Sequence, residues 1–156
     1  MDAGADGFEV VHGTCVALGR RAALLRGPAG SGKSDLALRF LFLARRGPAA
    51  MEAPVLVADD QVRVIRDGDR LLARPPDSIA GKLEVRGVGI VGVKALAEAE
   101  LVLVVDLVGE RDVERLPDPA ERARLLGIDV PLLRLAPREA SAPIKLVLAL
   151  GAAGRG

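Results

Sequence analysis

Short apolar segments, separated by glycine, proline and charged residues, follow one another along the whole chain. Residues 8–18 (FEVVHGTCVAL) predict a strand interrupted at Gly13, and residues 22–26 (AALLR) predict a second, shorter strand. Apolar residues then recur at helical spacing over residues 35–46, and the Gly-Pro pair that follows predicts the end of that helix. The pattern predicts a strand, a glycine-rich turn and a helix in succession.

The middle of the chain is dominated by strand patterns. Residues 55–60 (VLVADD) predict a buried strand that ends in two aspartates. Residues 61–66 and 70–74 flank an Asp-Gly turn and predict a hairpin. Residues 83–93 (LEVRGVGIVGV) predict another strand, and residues 101–107 (LVLVVDL) predict the central one because they form the most apolar run.

The last part of the chain mixes both patterns. Residues 117–127 (PDPAERARLLG) predict a helix with proline near its start and glycine at its end, and residues 132–148 predict a weak strand and a short final element. Interleaved helix and hairpin signals predict an α/β fold with a mixed sheet. Since no repeat or long linker divides the chain, residues 1–156 are predicted to be one domain, with flexible tails at 1–7 and 152–156.

Composition narrows the class of protein. Half of the 156 residues are apolar, which favours a packed globule. The net charge of +1 gives no bulk electrostatic reason to expect binding to nucleic acid or to a membrane surface. The single Cys15 has no disulfide partner and is predicted to be a small buried residue, as is typical of a cytoplasmic protein. No signal peptide or transmembrane stretch is visible in the sequence.

The stretch GPAGSGKS fits the phosphate-loop pattern G-x-x-x-x-G-K-[ST] at every fixed position. Its glycines let backbone N–H groups converge on phosphate oxygens, and the following helix adds the partial positive charge of its N-terminus. Lys33 brings a full positive charge to the terminal phosphates, and Ser34 offers a hydroxyl to Mg²⁺. The predicted nucleotide-binding residues are Gly27, Pro28, Ala29, Gly30, Ser31, Gly32, Lys33 and Ser34.

Two acidic positions compete for the place beside the metal. Phosphoryl transfer needs such a carboxylate and a group that orients the acceptor. Asp106 follows the longest apolar strand, as in ordinary nucleotide-binding folds, whereas Asp59 and Asp60 follow VLVA as a pair. Neighbouring side chains on a strand face opposite ways, so one aspartate can face the phosphates while the other fixes nearby backbone. Asp106 fits a turn or cap better, which makes the pair the preferred candidate.

Glu84 and Arg86 in LEVRGVGI are predicted to share one face of a strand, with apolar residues on the other face. This pattern is typical of a strand with one face in the core and the other in a site. Gly87 and Gly89 would leave room for a close approach of substrate or backbone. The segment therefore predicts a site wall that carries both charges.

Four motifs in sequence order resemble the catalytic domain of HPr kinase/phosphorylase, which phosphorylates a serine of the phosphocarrier protein HPr with ATP. The motifs are His12-Gly13, GPAGSGKS, Val57-Ala58-Asp59-Asp60 and LEVRGVGI. The resemblance runs from His12 to about residue 116 and implies a P-loop fold similar to phosphoenolpyruvate carboxykinase. It also implies an ATP- and Mg²⁺-dependent protein serine kinase with HPr as its partner, in the short form found in some proteobacteria.

The resemblance further implies roles for the residues of the phosphate loop and the acidic pair. Lys33 would bind the transferred phosphate, and Ser34 and Glu84 would hold Mg²⁺. One of Asp59 and Asp60 would take the proton from the acceptor serine.

Three further residues receive roles by the same resemblance. His12 would lie beside the phosphate site, Arg86 would shape its wall, and Arg115 in DVERLPD corresponds to an arginine that the family uses. The segment PREASAPIK (137–145) does not match the family's basic segment, so the kinase direction is favoured over the reverse reaction. The resemblance also allows a homo-oligomer.

Two other functions are consistent with a phosphate loop. A small-molecule kinase of the ordinary P-loop class would use Asp106 and an arginine-bearing lid, and no clear lid is visible. A nucleotide-binding regulatory module without catalysis is the second alternative. A GTPase would need an Asn-Lys-x-Asp motif, which the sequence lacks.

Overall fold

A nine-stranded mixed sheet is the main feature of the computed structural model, which describes residues 7–43 and 52–153. The strands of the chain are β1 (Phe8–His12), β2 (Thr14–Leu18), β3 (Arg21–Arg26), β4 (Pro54–Ala58), β5 (Gln61–Asp67), β6 (Arg70–Arg74), β7 (Lys82–Val85), β8 (Gly89–Gly92), β9 (Ala99–Leu107), β10 (Arg122–Leu125) and β11 (Ile128–Leu135). The α-helices are α1 (Lys33–Leu41) and α2 (Ala142–Ala152). Strands β7 and β8 form a separate hairpin.

The strand order of the large sheet is β1-β5-β6-β9-β3-β2-β4. Strand β9 pairs with β6 at its start and with β11 further along, and β11 carries β10 at its outer edge. Strands β3, β9 and β11 are parallel to one another, whereas the other pairs are antiparallel. The loops after β3, β9 and β11 therefore meet at one edge, which is where ligands bind in open α/β sheets.

Both faces of the central strands are buried. In β3, Leu24 packs into one apolar cluster with the strands that curl over that face, and Leu25 packs into another with the helices. Burial of both faces explains why β3 and β9 are almost continuously apolar, because a strand that is covered on both sides needs apolar residues at every position. Cys15 is fully buried, as predicted, and burial raises the pKa of its thiol.

Helix α1 follows directly from the glycine-rich turn. Gly32 precedes it with a φ of 99°, a left-handed conformation that favours glycine. Leu36 and Phe40 lie one turn apart and are fully buried against the sheet. The helix ends at Leu41, before the predicted end. The rest of the predicted helix, residues 44–46, and the Gly-Pro pair at 47–48 lie outside the described residues.

Most predicted strands are confirmed with small shifts at their ends. The break at Gly13 separates β1 from β2, the hairpin of β5 and β6 forms as predicted, and β9 is the central strand. The segment 132–148 contains the end of β11 and most of α2. Ala152, predicted to lie in a tail, is the last residue of α2. Among the described helices, none is long and apolar enough to cross a membrane.

The prediction of a helix over residues 117–127 is wrong. Strand β10 occupies the middle of this segment, with its two apolar residues buried and its two arginines exposed. This alternation has the two-residue period of a strand, and β10 pairs antiparallel with β11. Leu126 and Gly127 connect the two strands with φ angles of 49° and 80°. Two consecutive positive φ angles are typical of a tight hairpin turn, so the glycine closes a hairpin and does not end a helix.

The segment 83–93 is a hairpin, whereas one continuous strand was predicted. Strands β7 and β8 are separated by a turn around Gly87. Gly87 and Gly89 have φ angles of 89° and 115°, so they allow a reversal that other residues resist. Arg86 therefore lies in the turn, and it does not share a strand face with Glu84 as predicted.

Replacing Phe40 with alanine should destabilise the protein by about 3–5 kcal/mol, because it leaves a cavity between α1 and the sheet. Phe42 is 70% exposed, so the matched Phe42→Ala change should alter the free energy of unfolding by less than about 0.5 kcal/mol. Urea denaturation of both variants measures the difference. Equal effects of the two changes would contradict the packing described for α1.

Candidate active site

A cavity of about 920 Å³ opens beside the phosphate loop, at the edge of the sheet where β3 ends. It lies between the loop, the acidic pair that follows β4 and the hairpin of β7 and β8. Of the predicted catalytic and metal-binding residues, those that line it are His12, Lys33, Ser34, Asp59, Asp60, Glu84 and Arg86. Residues from four separate segments of the sequence therefore meet in one cavity.

The phosphate loop presents its lysine to the interior of the loop. Gly30 and Gly32 have φ angles of 82° and 99°, which carry the backbone around the turn. The Lys33 ammonium donates hydrogen bonds to the carbonyl oxygens of Gly27 at 2.7 Å and Pro28 at 3.0 Å. Only 8% of Lys33 is exposed, so a full positive charge is held inside the loop. The first backbone N–H groups of α1 have no partner within the helix and add to this anion-binding geometry.

Asp59 is buried and accepts hydrogen bonds from three different elements. Its Oδ1 accepts from the hydroxyl of Thr14 at 2.9 Å and from that of Ser34 at 2.8 Å. Its Oδ2 accepts from the backbone N–H of Glu84 at 3.3 Å. One carboxylate therefore ties β2, α1 and β7 together. Thr14 is a site residue that the sequence prediction missed, although it is the one hydroxyl residue in the otherwise apolar TCVAL strand.

Asp60 has the opposite environment from its neighbour. Its side chain is 72% exposed and its carboxylate lies 3.5 Å from Nδ1 of His12. Its backbone φ of 70° is in the left-handed region, and its carbonyl accepts a hydrogen bond from the N–H of Gly13 at 3.0 Å. The acidic pair is thus divided into one fixed carboxylate and one that is accessible from the cavity.

Asp106 is paired with Arg26 outside this cavity. Its carboxylate accepts two hydrogen bonds from Arg26, at 2.7 and 3.1 Å, and Arg134 is its neighbour on β11. Arg134 in turn makes two hydrogen bonds to Glu121, at 2.7 and 2.5 Å, and these lower the pKa of the Glu121 carboxyl. Asp106 is not among the residues that line the cavity, so the metal position required by an ordinary P-loop kinase is not formed by this residue.

Arg138 lines the cavity and was not predicted. Its loop is held on α1 by Arg39, whose guanidinium donates to the carbonyls of Pro137 and of Glu139, the latter at 3.2 Å. The sheet topology could have indicated Arg138, because the loop after β11 must reach the same sheet edge as the phosphate loop. That inference required knowing that β11 is parallel to β9.

Arg115 is exposed in the segment between β9 and β10 and does not line the cavity. The structure therefore does not bring this residue together with the other predicted site residues.

The oxygen donors of the cavity fit a hard divalent cation. The Ser34 hydroxyl and the carboxylates of Asp59 and Glu84 all line it. Within residues 7–43 and 52–153, no group of three or more His, Cys, Asp and Glu side chains forms a candidate metal site. Mg²⁺ commonly takes one or two carboxylates from the protein and its remaining ligands from water and substrate phosphates. The donor set is therefore suited to Mg²⁺ that binds together with a nucleotide.

Replacing Thr14 with valine should lower the free energy of unfolding by about 1–3 kcal/mol, because the buried Asp59 loses a hydrogen-bond donor. Thr14→Ser keeps the hydroxyl and should cost less than Thr14→Val. Chemical denaturation at pH 7 measures both values. If the valine variant is as stable as the wild type, the hydrogen bond described for Asp59 is not a significant constraint.

Comparison with known proteins identifies the family. The family model described as HPr Serine kinase C-terminal domain matches residues 7–150. HPr kinase/phosphorylase of Chlorobium phaeobacteroides (strain BS1) is 33% identical over 139 residues, which cover 82% of this chain and 38% of that protein. HPr kinase/phosphorylase of Chlorobium limicola is 37% identical over 136 residues, which cover 80% of this chain and 38% of that protein. The chain thus spans about two-fifths of the length of these curated relatives.

A solved structure confirms the predicted α/β fold. The Hpr(Ser) kinase/phosphatase from Coxiella burnetii superposes with a TM-score of 0.75 over 92% of this chain and 94% of that chain, at 22% sequence identity. The family match covers the phosphate loop, the acidic pair and the β7–β8 hairpin. This chain belongs to the HPr serine kinase C-terminal domain family.

Proposed function

We propose that this chain is an ATP- and Mg²⁺-dependent protein serine kinase that phosphorylates a serine of HPr. The observation that carries the proposal is that Lys33, Ser34 and the acidic pair all line the same cavity. The names of the curated relatives, HPr kinase/phosphorylase, support the choice of acceptor. Residues 1–156 would act as one catalytic domain. The buried, unpaired thiol of Cys15 is compatible with action in the cytoplasm.

Lys33 and the start of α1 would bind the phosphates of the donor. The ammonium of Lys33 now donates to two neutral carbonyl groups of the loop. A phosphate oxygen is a stronger partner because the hydrogen bond is then charge-assisted on both sides. When bound, Mg²⁺ would neutralise charge on the phosphate oxygens, with Ser34 and Glu84 as its protein ligands. Arg86, which lines the same cavity, would contribute a further positive charge.

Asp60 is the member of the pair that we assign as the base. Asp59 is buried and its oxygens already accept three hydrogen bonds, so its role is to hold Ser34 and the surrounding backbone. Asp60 is exposed to the cavity, beside His12, where an incoming hydroxyl can reach it. It would accept the proton of the acceptor serine, whose oxygen would then bond to the terminal phosphorus of ATP while the bond from that phosphorus to the bridging oxygen breaks and ADP leaves. A role for Arg115 stays a prediction.

The kinase direction is the primary claim, and assembly into a homo-oligomer stays a prediction. The proposal does not include binding to nucleic acid or to a membrane, because a net charge of +1 gives no bulk electrostatic reason for either.

Incubation with ATP, Mg²⁺ and HPr should produce phosphoserine on HPr, detected by mass spectrometry. Lys33→Ala should lower the rate by about 100-fold or more, because it removes the charge that meets the phosphates. Lys94→Ala, at an exposed lysine outside the cavity, is the matched control and should keep the wild-type rate. Normal ATP binding without any transfer to HPr would favour a regulatory module that lacks catalysis.

Asp60→Asn should reduce the rate of transfer by about 100-fold or more while ATP binding is retained, because only the proton acceptor is lost. Asp106→Asn should retain transfer, since Asp106 is paired with Arg26 outside the cavity. Initial rates and ATP affinities of both variants separate the two roles. An active Asp60→Asn enzyme together with an inactive Asp106→Asn enzyme would instead support a kinase of the ordinary P-loop class.

A further inference from the structure

We infer that the nucleoside part of the phosphate donor binds in a second cavity, on the side of the phosphate loop next to β9 and β11. This inference depends on the ATP-dependent function proposed above. The cavity has a volume of about 340 Å³. Small-molecule sites span roughly 300–1,000 Å³, so this volume suits a single nucleoside.

The two cavities adjoin along the phosphate loop. Pro137 and Arg138 line both of them. Different residues of the phosphate loop line the two cavities. Pro28 and Ser31 line the second cavity, whereas the first is lined by Ala29, Gly30, Gly32, Lys33 and Ser34. A nucleotide whose phosphates lie along the loop has its terminal phosphate in one cavity and its nucleoside at the other end. The two cavities provide room for both ends.

The first cavity is suited to the reacting end of the donor. It contains Lys33, the accessible carboxylate of Asp60 and the Ser34 hydroxyl, which are the groups that phosphoryl transfer needs. None of these three residues lines the second cavity. The second cavity is therefore assigned to the part of the donor that does not react.

The lining of the second cavity is suited to a base and a ribose. Leu107, Val108 and Pro28 provide apolar surface for a flat ring. Glu110 offers a carboxylate that can accept hydrogen bonds from an amino group or from ribose hydroxyls. Ser31 Oγ is buried and has no hydrogen-bond partner among the described residues. A buried hydroxyl without a partner is unfavourable, and a polar atom of the ligand would satisfy it.

The position of this cavity follows from the sheet topology. Val108 and Glu110 come directly after β9, and Ala136 and Pro137 come directly after β11. Because β9 and β11 are parallel to β3, their loops meet the phosphate loop at the same edge of the sheet. The acidic pair follows β4 on the other side of β3, so the acceptor and the nucleoside are assigned to opposite sides of the phosphate-loop strand.

Val108→Phe tests the assignment by filling the second cavity. Val108 is half-buried in its lining, and its backbone N–H is held by the carbonyl of Leu135 at 3.0 Å. Isothermal titration should show ATP and ADP binding at least about tenfold more weakly, whereas tripolyphosphate, which has no nucleoside, should change by less than about twofold. Retained tripolyphosphate binding also shows that the variant is folded.

Leu116→Phe is the matched control. Leu116 lies in the same segment, is 84% exposed and lines neither cavity, so all three ligands should bind it as they bind the wild type. If Val108→Phe does not fold, Glu110→Gln is the second variant, because it changes the charge of an exposed residue without adding bulk. Glu110→Gln should weaken ATP binding by about threefold and leave tripolyphosphate binding within about twofold.

The possible outcomes separate this inference from the proposed function. ATP binding that Val108→Phe leaves unchanged would overturn the inference alone. An equal loss of ATP and tripolyphosphate would also overturn it, since the effect would not be specific to the nucleoside. A wild-type protein that binds neither ligand would contradict the proposed function and, with it, the inference.

Discussion

The buried carboxylate of Asp59 is the constraint on which the site depends. Three donors from β2, α1 and β7 converge on its two oxygens, at 2.8 to 3.3 Å. A buried carboxylate is costly without such partners, so the three elements are held in one relative arrangement. That arrangement brings the Ser34 hydroxyl and the backbone N–H of Glu84 onto one carboxylate, and Asp60, the next residue, turns outward with a left-handed φ. The chemistry proposed for the cavity requires one fixed carboxylate and one accessible one.

The parallel strands β3, β9 and β11 determine what surrounds the phosphate loop. Their loops meet at one edge, which brings the turn that carries Arg138 next to the loop that carries Lys33. On one face of the same strands, Asp106 lies between Arg26 and Arg134. An aspartate at the end of the central strand is therefore part of a row of paired charges across three strands, and it does not serve the cavity.

Local sequence patterns predicted elements well where the apolar pattern of a segment was simple. The run before the phosphate loop is short and continuously apolar, the segments of the β5–β6 hairpin flank an Asp-Gly turn, and both were predicted. In residues 117–127, proline and glycine at the two ends suggested a helix. The residues RARL form a strand instead, because their apolar side chains alternate with arginines and they pair with β11. In residues 83–93, two glycines with positive φ made a turn within an apparently continuous strand. In both cases, pairing with the next strand across a glycine-containing turn gave a hairpin.

The sequence by itself determined the phosphate loop, the acidic pair and the glutamate of LEVRGVGI, because the chemistry of each is contained in a few consecutive residues. Only the tertiary structure decided which aspartate is buried, that Asp106 is paired with Arg26, and that Thr14 and Arg138 belong to the cavity. Burial and hydrogen-bond partners depend on residues that are remote in the sequence. Thr14 and Asp59 are 45 positions apart, and no local pattern records that they are in contact.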